Sequence, residues 1–157
     1  MVTVGISLNT RMLSVAVISK KELLSHSTHL HKSSWNPRKK DEIIASLEPC
    51  VSQYSIKSVA LSISHVYYQT PAYRELVTAI KKFFASHNIP VYTKTPDTFT
   101  VFYTEGQKKT KKGLMEALVI LFPELTYCYQ KELKNKKRYY FKLFEAVAAA
   151  TLLELDK

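Results

Sequence analysis

Apolar and polar positions alternate, or run together in short blocks, through roughly the first thirty residues, and helical spacing takes over for much of the rest. Residues 2–7, 13–19 and 22–29 carry β-favouring or alternating side chains separated by short polar turns, which predicts an antiparallel three-strand meander with turns at Asn9-Thr10-Arg11 and Lys20-Lys21. After a loop over 33–37 that holds the only tryptophan, Trp35, apolar positions Ile43, Ile44, Leu47 and Val51 predict a helix over 37–54. Pro37 suits its first turn and Pro49 kinks or shortens it. Residues 58–64 read as a buried strand. Thr70 caps a helix over 70–88 that carries Leu76, Ile80, Phe83 and Phe84 and stops at Asn88. A fifth strand over 89–94 and a short helix over 98–103, with Phe99, Phe102 and Tyr103 inward, come next. Further helices follow over 109–122 and 138–155, joined by a basic, tyrosine-rich linker over 123–137. No internal repeat interrupts this order.

At 157 residues and 46% hydrophobic, with ten Tyr and seven Phe, the chain is sized for a single domain over 1–157 with a packed core. It shows no apolar run of the ~18 residues a membrane span requires and no secretory leader pattern, so no membrane partner and a cytoplasmic location are expected. Cys50 and Cys128 have neither metal-ligand nor redox-motif spacing and read as two reduced thiols. His26, His29 and His31 have no further ligand at a recognisable spacing and read as structural or exposed.

Charge narrows the picture. Twenty-three Lys and Arg against 13 Asp and Glu give +10, which points to a polyanionic partner, DNA or RNA. The excess concentrates between residues 106 and 142. There Lys108, Lys109, Lys111 and Lys112, then Lys134, Lys136, Lys137 and Arg138, alternate with Tyr103, Tyr127, Tyr129, Tyr139 and Tyr140. Cations neutralise phosphates while aromatic rings offer stacking surfaces. Arg11 in the first turn, and Arg38-Lys39-Lys40 beside Trp35, are candidates to extend that track.

The element order βββαβαβ followed by helices resembles the ribonuclease H-like superfamily, and within it RuvC-type Holliday junction resolvases and their YqgF-like relatives. The residues that carry the resemblance are Gly5-Ile6-x-x-Asn9-x-Arg11, the strand Val59-Ala60-Leu61, the segment 96–106 with its following lysines, and Glu145-Ala146-Val147-Ala148-Ala149-Ala150. The resemblance implies an α/β fold with one mixed five-stranded sheet flanked by helices. It also implies a centre in which about four carboxylates hold two divalent cations against a phosphodiester. Carried over position by position, those carboxylates fall on Ser7, Ser62, Lys142 and Glu145, so one of the four is an acid. No Asp or Glu occurs before Glu22 or between Glu48 and Glu75. Neither serine has a motif His or Asp to activate it as a nucleophile. Three glycines in the chain leave no Gly-rich phosphate loop of the sugar-kinase kind.

Binding can outlast catalysis, so the expectation is a non-catalytic nucleic-acid-binding or DNA-metabolism accessory protein with no cofactor. Glu145 is then a helix carboxylate paired with Lys142 or another neighbour. One alternative is a divergent Mg²⁺-dependent nuclease that uses Glu145 with Asp97 or Glu105. Another is a protein-interaction or dimerisation module with a basic face. Resolvase relatives often dimerise through a sheet-flanking helix, which makes 79–84 the candidate surface for a homodimer.

Overall fold

The computed structural model describes residues 1–31, 36–64, 70–103, 105–106, 108–136 and 139–156. Strands β1 (Val2–Leu8), β2 (Met12–Ser19) and β3 (Glu22–Leu30) form the antiparallel meander that the alternation predicts. The Asn9 side-chain carbonyl accepts the backbone N–H groups of Arg11 and Met12, both at 2.8 Å, and closes the first turn. Strand β4 (Ile56–Ser62) pairs parallel with β1, and β5 (Val91–Lys94) pairs parallel with β4, giving the sheet order β3-β2-β1-β4-β5. The first four strands therefore share a sheet with both pairing modes, and the parallel pairs are reached through helical crossovers.

Helices α1 (Pro37–Ala45), α2 (Glu48–Gln53) and α3 (Pro71–Ser86) cover one face, where Ile43, Leu47, Leu76 and Ile80 meet Val4, Ile6, Val59 and Leu61. Helices α4 (Lys111–Leu121), α5 (Thr126–Lys134) and α6 (Phe141–Leu155) cover the other, with two 3₁₀ turns at Pro96–Phe102 and Pro123–Leu125. The mixed five-stranded sheet flanked by helices is thus observed as expected.

Several boundaries differ from the sequence reading. The helix expected over 37–54 is two helices, because the Pro49 ring would collide with the carbonyl four residues back, at Ala45, where α1 ends. Pro49 instead sits in the first turn of α2. The short helix over 98–103 is the 3₁₀ turn at Pro96–Phe102. The supposed linker over 123–137 contains α5, whose inward positions include Cys128 and a carboxylate, Glu132, so its apolar stripe is too thin to read by periodicity. In the proposed dimer stretch 79–84, Ile80 and Phe84 are committed to the chain's own core. The loop at 33–35 with Trp35, and the 137–138 start of the expected last helix, lie outside the described residues.

The face of the sheet beneath α6 is built mostly from small side chains, beside the larger Ile18 of β2. Side chains alternate across a strand, so Thr3, Gly5 and Ser7 on β1 share this face with Ser14 and Ala16 on β2 and Ser58, Ala60 and Ser62 on β4. Gly5 is paired with Ala16 on one side and Ala60 on the other, and Ser7 with Ser14 and Ser62. Over them lies α6, where every residue from Leu143 to Ala150 is buried and four of those eight are alanines. A Cβ on Gly5 would overlap the carbonyl oxygen of Ala146 and come within 2.9 Å of the Ala150 methyl. Neither the helix backbone nor the central strand can give way cheaply. We therefore expect Gly5→Ala to destabilise the fold by about 3 kcal/mol or more, measured by urea unfolding, although the substitution adds a single methyl to a buried site.

Candidate functional site

Because β1 and β4 run parallel, Ser7 and Ser62 come side by side at the same edge of the sheet, both buried, under the first turns of α6. Glu145 projects from α6 into this corner and is 5% exposed. Its Oε1 takes the Lys142 ammonium at 2.9 Å and the Ser7 hydroxyl at 3.4 Å, the latter a long and weak bond. The four positions carried over from the resolvases therefore converge, and Glu145 is paired with Lys142 as the sequence suggests. Glu145 is more deeply buried than an ordinary surface carboxylate.

The chemistry of this donor set does not fit two divalent cations. Hard cations take anionic oxygens, whereas this corner offers two neutral hydroxyls and one carboxylate already neutralised by an ammonium. Among the described residues no three His, Cys, Asp or Glu side chains converge as a potential metal site, the histidines at 26, 29 and 31 included. Burial pushes the Cys50 thiol up to about 11 and also raises Cys128, so neither is a thiolate at neutral pH.

The position of Lys142 and Glu145 depends on a residue the sequence reading passed over. Tyr140, at the start of α6, provides no side-chain cap. The Glu132 carboxylate arrives from α5 instead: Oε1 accepts the backbone N–H groups of Tyr139 and Tyr140 at 3.0 and 3.1 Å, and Oε2 accepts that of Phe141 at 3.0 Å. Three donors left open by the helix start are thus satisfied by one buried anion placed at the positive end of the helix. The available signal was compositional, since Glu132 is the sole acid between Glu124 and Glu145 in a lysine-rich stretch.

Two adjoining clefts open at this edge. The first, 490 Å³, is lined by Asp97, Lys109, Lys111, Tyr139, Lys142 and Glu145, among others. The second, 730 Å³, is lined chiefly by Arg11, Tyr127, Lys131, Lys136, Tyr139 and Tyr140. Asn9, Met12 and Tyr139 belong to both, so the clefts share a wall. Arg11 and Lys136 are thereby brought together, and Lys109 and Lys111 face the central corner. Lys131, not singled out in the sequence, joins them. Lys108, Lys112 and Lys134 are exposed but outside both linings, and Lys137 and Arg138 lie outside the described residues. Asp97 reaches the first cleft, whereas Glu105 is exposed and lines neither.

Residues 38–40 line neither cleft. Arg38 faces Glu42 at 3.6 Å, Lys40 pairs with Glu75 at 3.2 Å, and the buried Lys39 ammonium donates to the His31 carbonyl at 3.1 Å. Burial, followed by the charge of Arg11, lowers the Lys39 pKa. Two of the five tyrosines also serve the local structure: Tyr103 donates to the Thr110 carbonyl at 2.8 Å and Tyr129 to Glu116 at 3.0 Å.

Sheet order, crossovers and the cleft at the ends of the parallel strands define a ribonuclease H-like fold. Solved structures that share it include Thermus thermophilus RuvC in complex with a Holliday junction substrate. That chain has a TM-score of 0.68 and 17% identity, over 96% of this chain and 90% of that one. A second Thermus thermophilus RuvC structure gives 0.70 and 16% over 96% and 91%. Fowlpox virus resolvase, in complex with its substrate Holliday junction DNA, gives 0.57 and 14% over 99% of both chains. At these identities the likeness is one of fold. No protein-family model and no curated protein matches the chain.

The ion pair beneath α6 makes a double-mutant test possible. Lys142→Met strips the ammonium from the buried Glu145 and leaves it the weak Ser7 hydroxyl contact, and is expected to cost about 3 kcal/mol in urea unfolding. Combining it with Glu145→Met removes both charges together and should recover most of that loss.

Proposed function

We propose that this chain is a single-domain, cytoplasmic, non-catalytic nucleic-acid-binding protein that serves DNA metabolism on a resolvase-type fold whose metal-binding carboxylates have been replaced. The observation that carries the reading is the pair of basic, tyrosine-lined clefts that meet at Tyr139, beside a corner where the Lys142 ammonium sits on the buried Glu145. Solved neighbours of the same fold hold Holliday junction DNA, which supports a nucleic acid as the polyanion. Among the described residues no helix is long and apolar enough to cross a membrane.

Polyanion binding here needs no bond to break. Arg11, Lys109, Lys111, Lys131 and Lys136 line the clefts and would each displace counterions from a phosphate backbone. If all five engage, the logarithm of affinity for duplex falls against the logarithm of salt with a slope of about −4.5. Catalysis would require cations held by anionic ligands, and Lys142 adds positive charge where such cations would have to sit.

A second reading has one observation in its favour: Asp97 lines the same cleft as Glu145. On that reading the chain is a divergent Mg²⁺-dependent nuclease. Both are tested by titrating labelled four-way junction, duplex DNA, single strands and duplex RNA at two salt concentrations with Mg²⁺ present, then running the recovered nucleic acid on a gel. Salt-sensitive binding with intact strands is expected. Cleavage that Glu145→Gln abolishes would establish the nuclease instead, and absence of binding to every form would leave the basic face to an acidic protein.

A further inference from the structure

The second cleft differs from the first in a way that bears on what it holds. Among the described residues Arg11, Lys131 and Lys136 line it and no acidic one does, whereas Asp97 and Glu145 face the first. Its walls also carry three tyrosines. Tyr127 stands on α5 and is 62% exposed, a large aromatic surface for a side chain with no core role. The Lys131 ammonium, one helical turn on, lies 5.6 Å from the Tyr127 ring centroid, a cation–π contact on an otherwise largely exposed ring. Across the cleft, Tyr139 and Tyr140 meet edge to face with centroids 4.7 Å apart, and each backbone N–H is held by Glu132. Tyr139 and Tyr140 thus stand on a held backbone, Tyr140 also packing against the core, and Tyr127 is the most exposed of the three rings.

Cations alone would suit any phosphate backbone, but the rings discriminate. In an intact duplex the flat faces of the bases are covered by their neighbours, and a protein ring reaches only edges and backbone. A base freed from its stack offers a face to an aromatic ring, and such a contact is sequence-tolerant. We propose that the cleft of Tyr127, Tyr139 and Tyr140 is a stacking site for unpaired bases, so that this protein prefers single-stranded or unstacked polynucleotide over continuous duplex. Lys131, Lys136 and Arg11 take the adjoining phosphates. The inference rests on the nucleic-acid reading above and names the form of nucleic acid that reading leaves open; DNA and RNA strands share the chemistry.

The test is fluorescence anisotropy with the full chain and one short labelled sequence, presented as a DNA single strand, an RNA single strand and a DNA duplex, at one fixed salt concentration. Wild type should bind a single strand more tightly than duplex. Tyr127→Ala should weaken single-strand binding about tenfold while changing duplex binding by no more than about twofold. Tyr127→Phe keeps the ring and should restore single-strand binding, which separates stacking from misfolding. Lys131→Gln should weaken strand and duplex alike and lower the salt slope by about 1. A Tyr127→Ala variant that binds single strands as wild type does, or that loses both forms equally, overturns the stacking site and leaves salt-dependent binding intact. Wild-type protein that binds none of the three overturns the nucleic-acid reading together with it.

Discussion

The close seating of α6 on the central strand is the constraint from which the site follows. A helix normally rides on a sheet with a layer of branched side chains between them; here the layer below is mostly small, with Thr3, Gly5, Ser7, Ser14, Ala16, Ser58, Ala60 and Ser62 beside the larger Ile18, and alanines contribute from above. Gly5 marks the tightest point, where even a methyl meets helix backbone. Small residues permit approach but contribute little buried area each, so the fold depends on Leu143, Phe144, Val147, Leu152 and Leu153 around them for apolar burial.

Because the helix sits so low, whatever projects from its first turns is driven into the edge of the sheet. Glu145 lands on Ser7 and is removed from water, and a buried carboxylate demands compensation. Lys142, one turn earlier, provides it. Ser7 and Ser62 then have a packing reason to be small that is independent of chemistry: they continue the rows occupied by Gly5 and Ala60. Glu132 completes the arrangement by satisfying the start of α6, and the same hydrogen bonds set Tyr139 at the wall between the clefts and Tyr140 in the second. A single buried anion on α5 therefore orients both the central corner and the tyrosine-lined cleft.

Much of this was legible in the chain. Alternation over the first three strands disclosed the sheet, and the lack of any Asp or Glu before Glu22 is read directly from the chain, since both are local properties. The Thr70 cap was also local, and its hydroxyl accepts the Tyr73 N–H at 3.3 Å. Helix α5 was not legible, because its buried face holds a glutamate whose bonding partners lie seven to nine residues further on. Nor could sequence sort the lysines. Lys39 and Lys136 look alike in a basic run, and only tertiary structure buries one against the His31 carbonyl while leaving the other in a cleft.

The decisive question is whether a tethered ammonium holds the ground that divalent cations would need. Titrating the protein with Mn²⁺ while following the electron paramagnetic resonance of the free ion addresses it without any assay of activity. With Lys142 on Glu145 and two serines for neighbours, the free-ion signal should fall no further than with a protein of equal charge that lacks a carboxylate cluster. Stoichiometric loss of that signal, abolished by Glu145→Gln, would show that the corner gathers a cation after all and would contradict the proposed non-catalytic role.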